Sequence, residues 1–93
     1  MADRRMFRYE IPIDDRPHTV DLDSDPVAVA ATGSGFGVEF WAERAGMGLA
    51  HDRTFQVFGT GHLLPDAAKW AGTCPRTEDG FVWHLYDITA VTR

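Results

Sequence analysis

The chain has 93 residues, 44% apolar and 25% charged, with a formal net charge of −5. That length supplies one hydrophobic core, and the composition is that of an ordinary globular domain rather than a disordered chain. The acidic balance argues against nucleic acid as a partner, which needs a positive footprint, and no apolar run is long enough to span a bilayer.

Arg5 to Ile13 alternates strictly. Phe7, Tyr9, Ile11 and Ile13 share one face, and Met6, Arg8, Glu10 and Pro12 share the other, the period of a half-buried strand. Arg4, Arg5 and Arg8 are read as members of a solvated strand face. Asp14 to Pro17 is turn chemistry. His18, Val20 and Leu22 then alternate with Thr19, Asp21 and Asp23, which predicts a second strand forming a hairpin with the first. After the turn Asp23 to Pro26, Val27 to Thr32 reads as a short strand whose alanines suit close packing. Gly33 to Gly35 is a tight connection.

Phe36 to Arg44 is the fourth predicted strand. Phe36, Val38, Phe40 and Ala42 are expected inside, with Gly37, Glu39, Trp41 and Glu43 outside. Ala45 to Asp52 carries Gly46 and Gly48 and reads as a mobile loop. Arg53 to Pro65 follows as the strongest strand signal, with Phe55 and Val57 inward, running into Gly59-Thr60-Gly61-His62. Paired glycines permit a sharp turn, and Pro65 prevents the strand from continuing. Asp66 to Thr73 fits a strand or one helical turn. The strand is the better fit, with Trp70 packing inward. Cys74 to Gly80 is a loop closed by Asp-Gly. Phe81 to Ile88 is the last strand, apolar on both faces, which suits a central position or one beneath a partner. The tail from about Thr89 is expected to fray. Six to seven short strands at regular spacing predict an all-β domain, a small antiparallel sandwich or barrel.

Each stretch that could carry chemistry also has a structural role. Gly33-Ser34-Gly35-Phe36-Gly37 starts like a dinucleotide fingerprint, but Val38 stands where Gly or Ala is needed and no helix follows. Asp21, Asp23 and Asp25 have the first spacings of a calcium loop, but Pro26 and Thr32 stand in the places of its glycine and closing glutamate. Cys74 cannot close an internal disulfide and lacks the Cys and His cluster of a zinc site, so a structural or surface thiol is expected. His18, His51, His62 and His84 show no metal-ligand spacing. His62 reads as a residue that holds its own turn by bonding backbone, and His84 as a satisfied, half-buried histidine. No catalytic residue, metal or cofactor is assigned.

Arg8-Tyr9-Glu10-Ile11-Pro12-Ile13-Asp14-Asp15, Val38 to Glu43, Phe55-Gln56-Val57-Phe58-Gly59-Thr60-Gly61-His62 and Val82-Trp83-His84-Leu85-Tyr86 resemble a group of small single-domain proteins of unknown function from high-GC bacteria and their phages. The Phe-Gly-Thr-Gly-His run is the most specific part. Leu64-Pro65 resembles the group's Pro-rich continuation, with Leu63 where a proline is expected. The resemblance implies a compact single domain and carries over no activity, cofactor or catalytic residue.

The expected function is that of a small non-enzymatic β domain binding a protein partner or itself as a homo-oligomer. A phage accessory role, such as inhibiting a host factor, is its narrower form. Trp41, His62, Asp66, Trp83, His84 and Tyr86 are the candidate binding surface, since clustered exposed aromatics mark partner sites. The alternative is a small-molecule-binding or enzymatic site at the Gly59–Asp66 turn using His62 and Asp66. No signal-peptide pattern follows Met1 to Arg8, so a cytoplasmic location is expected, without membrane contact.

Overall fold

The computed structural model describes residues 3–44 and 50–91. These residues form seven strands and no helix: β1 (Arg5–Pro12), β2 (His18–Leu22), β3 (Ala28–Ala31), β4 (Gly37–Arg44), β5 (His51–Gly59), β6 (Lys69–Thr73) and β7 (Trp83–Asp87). All pairings are antiparallel. One sheet has the order β1-β4-β3 and the other β2-β5-β7-β6, so the domain is a sandwich. Among the described residues no helix is long and apolar enough to cross a membrane.

The alternation in sequence decides what lies between the sheets. Ile11, Val38, Phe40 and Ala42 face inward from one sheet, and Leu22, Phe55, Val57 and Leu85 from the other, all at most 2% exposed. Tyr9 stacks on Phe40 at 5.1 Å, and Phe40 meets Phe55 of the opposite sheet at 5.1 Å with the rings tilted by 41°. That aromatic column is the physical bridge between layers. Phe36 departs from expectation. It is 79% exposed, because β4 begins one residue later and Phe36 belongs to the turn that its carbonyl ties to the Ile13 amide.

β1 and β2 do not form the expected hairpin. β1 pairs with β4 and β2 with β5, in different sheets. Asp15 adopts φ 58° between them, and the Asp14 carboxylate accepts from the Arg16 amide at 3.1 Å and contacts His18 Nε2 at 2.9 Å. The contact with His18 holds the Asp14 carboxyl below its ordinary value. Such turn chemistry closes an arch between sheets as readily as a hairpin. The expected loop at Ala45 to Asp52 is also revised, since His51 and Asp52 open β5; residues 45–49 lie outside the described part.

β7 lies between β5 and β6, which explains its two apolar faces. Trp70 points outward rather than inward and is 64% exposed. The register of β6 against β7 shifts between Trp70 and Gly72, so a bulge resets which side chains face the core. Gly72 then lies directly under Val29 of the opposite sheet.

Polar groups close one end of the sandwich. Arg53 sits on the inward row of β5, donating from Nη2 and Nε to Asp87 at 2.7 and 3.0 Å and from Nη1 to the Ser24 carbonyl at 3.1 Å. Asp25 approaches the same guanidinium at 2.9 Å, and Phe55 lies 5.5 Å beneath it. Burial raises the Asp87 pKa. Hydrogen bonds from the Thr89 hydroxyl and amide, and then Arg53, outweigh it and leave the carboxyl below its ordinary value. Thr89, expected in the frayed tail, also accepts the Thr54 amide at 2.9 Å. The cleft here, about 470 Å³, is lined by Arg53, Asp87, Asp25 and Lys69 among others. Its arginine is already neutralised by two carboxylates, which fits a structural closure.

Candidate functional site: the outer face of the four-stranded sheet

The outward row of β7 carries His84 and Tyr86. Register places Phe58 beside His84 and Gln56 beside Tyr86 on β5, with Thr73 and Trp70 opposite them on β6. Period-two alternation therefore assembles an aromatic stripe on one face from three strands. Phe58 meets Tyr86 edge-on at 5.7 Å and is only 7% exposed, because the turn after β5 covers it. Leu64 is 42% exposed, Leu63 94% and Trp70 64%.

His84 is the polar centre of this face. Its Nδ1 lies 2.9 Å from the Thr73 hydroxyl and its Nε2 2.8 Å from the Thr60 hydroxyl. Trp70 Nε1–H donates to Thr73 Oγ1 at 2.9 Å, and Thr60 Oγ1 reaches the Val82 carbonyl at 3.5 Å. The Trp70 indole N–H donates to Thr73 and the Thr60 hydroxyl donates to the Val82 carbonyl, so Thr60 in turn accepts from His84 Nε2–H, while the Thr73 hydroxyl completes the row at Nδ1. Both ring nitrogens are occupied, so His84 acts here as a positioning residue for Trp70 and the turn.

His62 holds its turn as expected. Its amide donates to the Gly59 carbonyl at 3.1 Å, and its Nδ1 accepts the Gly59 amide at 3.1 Å. Gly61 supplies φ +89°. The ring lies against Gly59, where a Cβ would stand 3.0 Å from His62 Cε1 and 3.3 Å from Trp83. His62 thus divides two shallow clefts. One, of about 190 Å³, joins it to Phe58, Leu64, His84 and Tyr86. The other, of about 330 Å³, joins it to Arg76, Phe81 and Trp83, the last two stacked at 5.6 Å.

The six predicted surface residues are therefore divided. His62, His84 and Tyr86 share one cleft. Trp83 is on the inward row and opens only at the sandwich end beside His62. Trp41 lies half-buried on the outward row of the other sheet, opposite Arg8 and Ala28. Asp66 is exposed and lines neither cleft. No carboxylate joins the two histidines in their shared cleft. Among the described residues no group of three or more His, Cys, Asp or Glu side chains is placed to hold a metal ion. Trp70 and Leu64 were missed as surface residues. Gly72 was the available signal, since a strand glycine often marks a bulge.

The family described as a domain of unknown function (DUF7352) matches residues 2–92. The chain belongs to this family. No curated protein and no solved structure matches it. The family match covers both sheets and the His62 turn, so the aromatic face lies wholly within the family's domain.

Proposed function

We propose that the protein is a non-enzymatic β domain that docks a protein partner on the outer face of the four-stranded sheet. One observation carries this reading. Trp70 is 64% exposed while its only polar atom is already bonded to Thr73, so it offers solvent an apolar surface with no unmet hydrogen bond. Tyr86 lies opposite Trp70, and Leu64 borders the same face. Such a patch has the make-up of an interface core. Asp52 on the outward row of β5 and the exposed Asp66, two residues after Leu64, give this side of the sheet acidic charge, while Asp21 opposite Asp52 is paired with Arg44 at 3.4 Å. The partner that fits presents an apolar anchor flanked by Lys or Arg.

Inhibition of a host factor by a phage accessory protein is a narrower form of this proposal, supported by the sequence resemblance. A cytoplasmic setting belongs with it and is supported by the lone unpaired cysteine.

Selection from a displayed random-peptide library tests the reading. Peptides with an aromatic or aliphatic residue beside basic ones should be enriched on the wild-type protein and lost on Trp70→Ser/Tyr86→Ser. Enriched peptides that bind this variant equally well would refute the assignment of the face.

A further inference from the structure

We propose that two copies of the chain associate edge to edge through β1, about a two-fold axis at Tyr9. β1 pairs only with β4, so its other edge is open among the described residues. The Ile13 amide bonds the Phe36 carbonyl, in register with the β1–β4 ladder. Antiparallel bonding alternates, so odd-numbered residues of β1 turn their backbone groups to β4. Met6, Arg8 and Glu10 therefore present free N–H and C=O groups to solvent, and Pro12 presents only its carbonyl.

A two-fold axis normal to the sheet keeps inner rows with inner rows, so residues of like parity face each other. Centred on Tyr9, the pairing puts Arg8 of one copy opposite Glu10 of the other, twice. Each such pair exchanges both main-chain bonds, and each Met6 amide meets a Pro12 carbonyl. Sliding by two residues sets Arg8 against Arg8 or Glu10 against Glu10, and like charges directly opposite are unfavourable. Charge thus selects one register.

The side chains are placed for it. Arg8 stands between Glu39 at 3.1 Å and Glu10 at 3.7 Å, one cation shared by two acids. Both Arg8 and Glu10 are about half exposed, and a second arginine would complete the row. Glu10 leans over Gly37, where a Cβ would stand 2.9 Å from its carboxylate. On the inner row Phe7 is 43% exposed at the same edge, and the pairing lays the other copy's β1 backbone beside it. This interface is separate from the aromatic face and stands or falls without it.

Sedimentation of the full chain over a range of concentrations tests the proposal, with hydrogen exchange on the same samples. The mass should double as concentration rises, with the Met6, Arg8 and Glu10 amides becoming protected. Arg8→Glu alone and Glu10→Arg alone should each weaken association by roughly tenfold or more. Mixing the two variants should restore it, because every cross-edge pair then joins opposite charges. A wild-type protein that stays monomeric, single variants that associate like wild type, or a mixture that stays apart would each overturn it. Both substitutions are at exposed positions. Should either variant fail to fold, protection of those three wild-type amides decides the matter: open amides in a dimer refute this edge.

Discussion

Gly72→Ala isolates the packing between the two sheets. Gly72 is buried at the bulge of β6, and its φ is not in the left-handed region, so an alanine there meets no backbone strain. With packing set aside, the substitution would stabilise by about 0.4–1 kcal/mol through the unfolded chain. The structure reverses that sign. A Cβ on Gly72 would overlap Val29 Cγ2 and lie 2.8 Å from Val29 Cβ. Valine is stiff about χ1 and Cβ moves only with its backbone, so β3 and β6 must separate locally. Overpacking of this kind costs about 1–3 kcal/mol, or roughly 4–8 °C in Tm per kcal/mol for a domain of this size. Val29→Ala removes the shorter contact but leaves the Cβ–Cβ approach. Combined with Gly72→Ala it should recover part of the loss, with a coupling of about 0.5–1 kcal/mol in a double-mutant cycle. Thermal and urea unfolding of the four proteins, followed by tryptophan fluorescence, measures this. A neutral or stabilising Gly72→Ala, or strictly additive effects, would refute the close approach of β3 and β6.

Two more outcomes follow from the packing and charge of the core. Cys74 is 2% exposed, and burial, with the Glu39 charge adding, pushes its thiol up to about 11. It should resist alkylation at pH 8 and react at the ordinary rate in denaturant; rapid labelling of folded protein would contradict this. Asp87 is held below its ordinary value, so its stabilising contribution is complete above the unfolded carboxylate pKa and is lost as pH falls through the folded value. Asp87→Asn should cost about 1–3 kcal/mol at neutral pH and flatten the loss of stability below about pH 4. An unchanged acid limb in the variant would count against the bonds that Thr89 and Arg53 make to this carboxylate.

Period-two alternation made the strands legible. Ile11, Val38, Phe40, Phe55, Val57 and Leu85 all repeat at even spacing and all reach the core. Turn chemistry placed the breaks, and His62 was readable as the holder of its own turn because Gly59 and Gly61 flank it. Other features had no local signature. Asp14 to Pro17 suits an arch or a hairpin, so the separation of β1 from β2 depended on which strand each edge met. Arg53 and Asp87 interrupt two apolar rows and are 34 residues apart, and their pairing emerges only from the β5–β7 register.

What the amino-acid order determined by itself was local: which residues extend, where the chain turns, and which side chains share a row. Strand alternation and backbone conformation are nearest-neighbour properties, so a linear pattern records them. Tertiary structure alone decided which rows faced one another. The bulge between Trp70 and Gly72 turned a tryptophan from the expected core to the surface, where it joins Tyr86 from another strand. A register is a relation between distant segments, set by the packing of both, and no single stretch of sequence contains it.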